Sequence, residues 1–191
     1  MVYEKYFNPP LQHLLSLSAE SIGLEGSKEI RPYIYLEEQE KNQVVEKFNL
    51  PNKYVVMHSE CGSVWSSGNK NWGNKKWQAL SELIRLKIPI VQLGGNNDFP
   101  LEGVLDLRGK TNLRELAAVI KGAELFVGQE GGLHHVAAAV GIKAVLVFGS
   151  WIDPEVSSYE GNVNITSNKG CSPCYSREEC PTCKAAMESI K

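Results

Sequence analysis

The stretch "ELFVGQEGGLHHVAAAVGIKAVLVFGS" (residues 124–150) decides the fold. It has short apolar runs at 124–128 and 144–149, with an alanine-rich segment between them. Two strands joined by one helix form the repeating unit of a parallel sheet. Apolar runs at 54–58, 88–94 and 104–107 alternate with amphipathic segments in the same way. We therefore predict an α/β fold, a parallel sheet with helices on both faces.

Apolar spacing predicts the helices that cover this sheet. The residues predicted to face the core are Trp77, Leu80, Leu83, Ile84 and Leu86 in one helix and Leu113, Leu116, Ala117 and Ile120 in the next. Thr111 and Asn112 precede the second helix and predict its N-cap, whereas Gly122 predicts a left-handed stop at its end.

Residues 1–53 lack the alternation of strands and helices. Two helical segments, 9–24 and 36–50, lie on either side of an extended segment at 29–36. We predict a helical leader that packs on a single domain of residues 54–191. This domain ends in a cysteine-rich lobe at 170–184.

The charge balance excludes several classes of partner. The chain of 191 residues has 20 Lys and Arg against 22 Asp and Glu, a formal net charge of −2. This balance gives no attraction to nucleic acid or to an anionic membrane. The first residues do not resemble a secretory signal, and no apolar run reaches the roughly 18–20 residues of a membrane span. We predict a cytoplasmic protein without a transmembrane segment.

Polar loops follow the predicted strands. The carboxyl ends of parallel strands meet at one edge of the sheet, where helix N-termini favour anions. In the loop 59–77, hydroxyls, amides and the ammonium of Lys70 are able to surround a diphosphate, although the loop could equally be ordinary surface. After the next strand, Asn97 or Asp98 could accept hydrogen bonds from ribose hydroxyls, but an ordinary turn uses the same residue types.

A third loop begins the helix within 124–150. Glu130 offers a carboxylate for sugar hydroxyls, and Gly131 and Gly132 permit a phosphate to approach the amides. His135 is predicted to face the ligand and His134 to be incidental. The alternative is a charge that complements the helix dipole, followed by a turn and two ordinary histidines. From the residues alone, the two interpretations are equally good.

Several common sites are missing from the sequence. We find no G-x-S-x-G nucleophile motif and no arrangement typical of a Ser-His-Asp or Cys-His catalytic site. The strand–G-x-G-x-x-G–helix fingerprint is also absent, which argues against a nicotinamide or flavin dinucleotide.

The segment "CSPCYSREECPTC" places Cys171, Cys174, Cys180 and Cys183 in two C-x-x-C knuckles. Two such knuckles can hold a structural zinc ion in a tetrahedron of thiolates. Reduced thiols and disulfides remain the alternatives, and a cytosolic setting disfavours the disulfides.

The order of motifs resembles the C-terminal half of family-9 glycosyltransferases, the heptosyltransferase-like enzymes of bacterial surface polysaccharides. The resemblance spans roughly residues 25–190 and rests on "KNW" (70–72), "LGG" (93–95), the stretch 107–150 and the closing cysteines. It implies a GT-B architecture of two Rossmann-like domains, of which this chain resembles the nucleotide-sugar-binding one. The donor it implies is typically an ADP-heptose, and no cofactor is implied for the chemistry.

The resemblance also implies roles for single residues. Ser66 and Lys70 match positions that contact the donor phosphates, and Asn97 or Asp98 falls near the carboxylate that holds the ribose. The remaining matches, to the motif for the donor sugar and phosphate, are Glu130, Gly131, Gly132 and His135.

The sequence departs from the family in three ways. Glu130-Gly131-Gly132 replaces the usual Asp-Ser-Gly or Asp-Thr-Gly, and the longer acid and the lost hydroxyl predict a changed donor sugar. Gly73 replaces a proline that the family has after the tryptophan. No counterpart of the acceptor half, with its general base, is expected within residues 1–53. The functional hypotheses are a donor-binding domain that acts on a lipopolysaccharide or polysaccharide acceptor with a partner chain or as a homodimer, a non-catalytic binding or assembly module, and half of a nucleotide-sugar epimerase.

Overall fold

Six parallel strands form one sheet in the order β3-β2-β1-β4-β5-β6. The computed structural model describes residues 13–24, 31–60, 67–149, 151–167 and 181–190. The elements are α1 (Leu14–Ser21), α2 (Glu38–Phe48), β1 (Val55–His58), α3 (Ser67–Lys70), α4 (Asn74–Arg85), β2 (Ile90–Gln92), β3 (Leu105–Asp106), α5 (Leu113–Lys121), β4 (Leu125–Gln129), α6 (Gly132–Ala139), β5 (Ala144–Val147), α7 (Pro154–Ser157), β6 (Val163–Ile165) and α8 (Pro181–Ser189).

The predicted parallel sheet is confirmed. The five predicted strands are all present, each within about two residues of its predicted bounds at either end. The sixth strand, β6, pairs with β5 at the edge of the sheet and was not predicted. All of its residues are exposed, so it lacks the apolar run that marks the inner strands.

The two faces of the sheet have separate cores. On one face, Val56, Phe126 and Leu146 pack with apolar residues of α2, α5 and α6. On the other, Met57 and Val127 pack with Trp77 of α4 and with apolar residues at the end of the chain, Met187 and Ile190. Helices therefore cover both faces, as predicted from the alternating pattern.

Some helix predictions were wrong in detail. Leu83 and Leu86 are 66% and 76% exposed. An α-helix turns by about 100° per residue, so Leu83 lies about 120° around the helix from buried Trp77, and Leu86 about 180° from it. Leu113 is also exposed, since it begins the first turn of α5. Asn112 caps α5 as predicted, accepting a hydrogen bond from the amide of Glu115. Gly122 ends α5 with φ −81°, not in the left-handed conformation, because the turn there continues in right-handed geometry.

The chain before β1 contacts the helical layer beside α5 and α6. Arg31 Nε donates to the carbonyl of Ala138 at 2.8 Å, and the amide of Ile34 donates to the carbonyl of Ala139 at 3.1 Å. Val44 of α2 is buried in the same core as α5. None of the helices in the described ranges combines the length and apolarity of a membrane span.

Candidate functional site

The order of the strands creates a switch point between β1 and β4. The chain passes from β1 to β2 on one side, and it later places β4 on the other side of β1. The connections after β1 and β4 therefore diverge at the carboxyl edge, which is the place where open α/β sheets bind ligands. Lys70 ends α3 in the connection after β1, and Glu130 directly follows β4.

Lys70 and Glu130 form an ion pair at this switch point. Lys70 Nζ lies 2.5 Å from Glu130 Oε2, and the two side chains are only 14% and 7% exposed. Lys70 Nζ also lies 4.1 Å from the centre of the Trp151 ring, a cation–π contact. Among the described residues, Glu130 Oε2 has no other polar partner. The site thus contains one ammonium and one carboxylate that are largely removed from water.

Buried Gln129 fixes the backbone that carries Lys70. Its Nε2 donates to the carbonyl of Lys70, and its Oε1 accepts from Trp77 Nε1 at 3.1 Å and from the amide of Trp72 at 3.4 Å. One side chain at the end of β4 therefore ties the connection after β1 to the sheet. A buried amide with its donor and acceptor groups used in this way stabilises one loop conformation.

Close packing beneath α3 restrains Lys70 further. A Cβ atom at Gly149 would lie 2.7 Å from the carbonyl oxygen of Asn69 and 3.2 Å from Cα of Lys70. Only glycine permits this approach, because both contacts are with backbone atoms.

His134 is a structural residue at the start of α6. It is fully buried, its Nδ1 accepts from the amide of Gly131 at 3.0 Å, and its Nε2 lies 2.9 Å from the carbonyl of Ser157, to which it donates. This arrangement requires a neutral ring, and burial lowers the pKa of His134 accordingly. His134 thus supports the start of α6, a structural role that the sequence did not predict, because an imidazole at the third helical position can bond the amide at the N-cap.

His135 lies on the neighbouring part of α6 and contacts Tyr159. Its Nδ1 lies 2.7 Å from the hydroxyl oxygen of Tyr159. The centre of the Tyr159 ring also lies 5.0 Å from that of the His13 ring. Burial lowers the pKa of His135 to about 4, and the nearby positive charge of Lys70 acts in the same direction. His135 is therefore neutral near pH 7.

Asp98, in the loop after β2, lies close to Gly94 and Gly95. Asp98 Oδ2 accepts from the amide of Gly95 at 2.8 Å and lies 3.5 Å from His58 Nε2. A side chain at Gly94, where φ is +148°, would meet the same carboxylate. Burial opposes ionisation of Asp98, but the hydrogen bonds from His58 and Gly95 and the charges of His58 and Arg108 outweigh it, so the pKa of Asp98 is lowered.

The other predicted site residues lie on the loop after β2, at the start of α6, in α8 or outside the described residues. Asn97 is exposed at the tip of the loop after β2, and Gly132 is exposed at the start of α6 with open space beside it. The amide of Gly131 is occupied by His134. Ser66 lies outside the described residues, as do Cys171, Cys174 and Cys180, whereas Cys183 lies in α8. Within the described ranges, no three His, Cys, Asp or Glu side chains are grouped as metal ligands would be.

The structure thus brings together Lys70 and Glu130, which are far apart in the sequence, and pairs Asp98 with His58 and Gly95 on the loop after β2. Sequence reasoning missed Gln129, Trp151 and Tyr159. A polar residue that ends an apolar strand was the available signal for Gln129. Trp151 and Tyr159 gave none, because their contacts depend on the connection after β5.

Comparison with known proteins places these features in a family. The sequence model described as "Glycosyltransferase family 9 (heptosyltransferase)" matches residues 2–185. No curated protein sequence is significantly similar to the chain.

Solved structures share the fold at low sequence identity. A family-9 glycosyl transferase from Veillonella parvula is 20% identical, with a TM-score of 0.62, over 76% of this chain and 45% of its own length. The ADP-heptose lipopolysaccharide heptosyltransferase II of E. coli is 19% identical, with a TM-score of 0.64, over 84% of this chain and 53% of its own. The third is TibC, a dodecameric iron-containing heptosyltransferase from enterotoxigenic E. coli that was solved with ADP-D-β-D-heptose. It is 20% identical, with a TM-score of 0.57, over 74% of this chain and 44% of its own length. The chain spans about half the length of these proteins.

Proposed function

The chain belongs to glycosyltransferase family 9, the heptosyltransferase family, and on that premise we propose that it binds a nucleotide-diphosphate sugar, ADP-linked, as the donor for glycosyl transfer. The observation that carries the proposal is the buried ion pair of Lys70 and Glu130 at the switch point between β1 and β4. Two of the similar structures support an ADP-linked donor, since one is named for ADP-heptose and the other was solved with it.

Each charge has a role in this proposal. The Lys70 ammonium binds the diphosphate and stabilises the negative charge that develops on it as the sugar leaves. Glu130 accepts hydrogen bonds from the sugar hydroxyls. The exposed start of α6 at Gly132 offers the amides of its first turn to the phosphates, since a helix leaves these groups without partners of its own.

The ribose contact falls to the loop after β2. Asp98 already accepts from Gly95 and faces His58, so its carboxylate serves to shape the loop. We therefore assign the ribose contact to Asn97, which is exposed at the tip of that loop.

In the reaction, an acceptor hydroxyl attacks the anomeric carbon as the bond to the diphosphate oxygen breaks. The acceptor loses its proton to a base, and ADP leaves with its charge held by Lys70. We propose a hydroxyl of a bacterial surface polysaccharide or lipopolysaccharide as the acceptor. The acceptor site and the base are contributed by a partner domain, by a separate chain or by a second copy. The dodecameric state of the similar TibC supports a second copy as the source.

Calorimetric titration with ADP and ADP-D-β-D-heptose tests the proposal. We expect saturable binding of the heptose donor that falls about 10- to 100-fold in Lys70→Met, because a charge-assisted contact is lost. Lys87→Met is the matched control, since Lys87 is exposed just before β2 at the opposite edge of the sheet. A wild-type chain that binds neither ligand would contradict the proposal. Binding without transfer to a lipopolysaccharide acceptor, even with a partner added, would favour a non-catalytic binding module.

We also propose that Cys171, Cys174, Cys180 and Cys183 hold a structural metal ion outside the reaction. The support is the donor set, four thiols in two C-x-x-C knuckles, and the iron content of the similar TibC. Elemental analysis of the purified chain should show about one zinc or iron per chain, lost when the cysteines are replaced by serine. The proposal would be contradicted if the wild-type chain contained no metal and the serine replacements left its stability unchanged.

A further inference from the structure

The ion pair of Lys70 and Glu130 leaves each charge dependent on the other. Glu130 is 7% exposed and Lys70 14%, so water can solvate neither side chain fully. The amide of Gly131, the residue next to Glu130, donates to His134 Nδ1 and is not available to the carboxylate. A diphosphate that attracts Lys70 therefore removes the one cationic partner that Glu130 has among the described residues.

We propose that this pair makes the site selective for the complete sugar donor over the bare nucleoside diphosphate that transfer leaves behind. The inference rests on the proposed function and concerns how the same site discriminates between its ligands.

The selectivity follows from what each ligand offers to Glu130. A bare diphosphate takes the ammonium and places a second anion beside a buried carboxylate, which is unfavourable because both desolvation and like-charge repulsion act on Glu130. A sugar attached to the diphosphate brings hydroxyl donors along with the phosphates. These hydroxyls replace the ammonium as partners of Glu130 while the phosphates engage Lys70.

The consequence for turnover is that the product is bound more weakly than the donor. After transfer, the sugar hydroxyls leave with the acceptor, and the carboxylate again competes with the diphosphate for Lys70. Re-formation of the 2.5 Å pair then favours release of the diphosphate.

The affinities of ADP and ADP-D-β-D-heptose, measured by calorimetry on the full chain, test the inference. In the wild-type chain we expect the donor to bind at least about tenfold more tightly than ADP. In Glu130→Gln we expect ADP to bind about tenfold more tightly than it does in the wild type, because Lys70 is no longer held by a carboxylate. The donor should not gain affinity, so the ratio of the two dissociation constants should fall toward one.

Glu124→Gln is the matched control, because Glu124 is exposed just before β4, at the opposite end of the strand from Glu130. It should leave both affinities unchanged. Glu130→Asp is a second variant that retains the charge with a shorter reach, and it should show a smaller gain in ADP affinity. Thermal unfolding of each variant confirms that a folded chain is being titrated.

The outcomes separate the inference from the proposed function. If the wild-type chain binds neither ligand, both fail. If it binds both, but Glu130→Gln and Glu130→Asp lower the two affinities by the same factor or leave ADP binding unchanged, the inference alone is overturned. A gain in ADP affinity without a gain for the donor supports it.

Discussion

The loops after β2 and β4 both carry buried polar residues, but they use them differently. After β2, Gln92 donates to the carbonyl of Phe99 and accepts from the amide of Leu101, while Glu60 accepts from the amide of Phe99. Backbone groups thus satisfy most of the buried polar atoms there. After β4, by contrast, the Glu130 carboxylate pairs mainly with the ammonium of Lys70, which comes from the connection after β1. A loop whose polar groups bond its own backbone is fixed, whereas an ion pair can exchange one partner for a ligand.

The largest expected effects on stability come from the two buried glutamines, Gln129 and Gln92. Gln129→Leu and Gln92→Leu make the same change at fully buried positions, and each leaves several hydrogen-bonding groups without a partner. We expect each to lower the free energy of unfolding by about 3 kcal/mol, measured by urea denaturation.

Nucleotide binding should distinguish the same two variants. Gln129→Leu releases the carbonyl of Lys70, so it should weaken binding of ADP-heptose well beyond its effect on stability at a temperature where the chain stays folded. Gln92→Leu should weaken that affinity less, because the loop that Gln92 holds contributes only the proposed Asn97 contact with the ribose. Equal losses of affinity in the two variants would remove the distinction between the loops.

Gly149→Ala should have the next largest effect. The added methyl group meets the backbone of Asn69 and Lys70, so α3 must move. We expect the free energy of unfolding to fall by about 1–3 kcal/mol and ADP-heptose to bind more weakly, as measured by denaturation and calorimetry. An alanine variant with unchanged stability and affinity would show that the position of α3 is not fixed by this contact.

Acid should lower the free energy of unfolding through His135 of α6 and through Asp98 of the loop after β2, in different ranges of pH. The pKa of His135 is about 4 in the folded chain against 6.5 ordinarily, so the unfolded chain takes up a proton first. The free energy of unfolding should therefore fall as pH drops from 6.5 toward 4, by at most about 1.4 kcal/mol per pH unit for this group, and His135→Gln should reduce the slope.

Asp98 affects the free energy of unfolding in a lower range of pH than His135 does. Its pKa is lowered below the ordinary 3.8, so its contribution to stability is complete above pH 3.8 and is lost as pH falls further. Asp98→Asn should flatten the stability profile only below that value. Urea denaturation between pH 3 and pH 7 measures both slopes, and a variant that changes the slope in the other range would contradict the assignment.

The smallest effect on stability is expected for Gly132→Ala. Nothing lies within 4 Å of the position that its Cβ would occupy, and alanine favours a helix. The free energy of unfolding should change by no more than about 0.5 kcal/mol. If the phosphates approach the start of α6 as proposed, the methyl group should nevertheless weaken ADP-heptose binding. Unchanged affinity would place the phosphates elsewhere.

The sequence was sufficient to predict the sheet because each inner strand is an apolar run between amphipathic helices. It was insufficient for β6, whose three residues are exposed at the edge. It also misplaced Leu83, because a count of apolar residues overlooks the angle that each makes around the helix.

For the site, the sequence could assign Lys70 and Glu130 to the same edge of the sheet, but not to each other. Their pairing depends on the strand order, which places β1 beside β4, and on the packing of α3 against Gly149. The role of His134 depends on a hydrogen bond to Ser157, more than twenty residues later, which no local pattern reveals.

The attachment of α8 bears on the order in which the protein folds. Lys76 Nζ donates to the carbonyls of Met187, Glu188 and Ile190, and Trp72 Nε1 donates to that of Ile190. These contacts join groups more than a hundred residues apart, and contacts of such long range form slowly. During synthesis, α4 leaves the ribosome well before its partner does. We therefore expect the segment around Lys70, already held by Gln129, to reach its full rigidity only after residue 190 has been translated, so that a nascent chain acquires its sheet before it completes its ligand site.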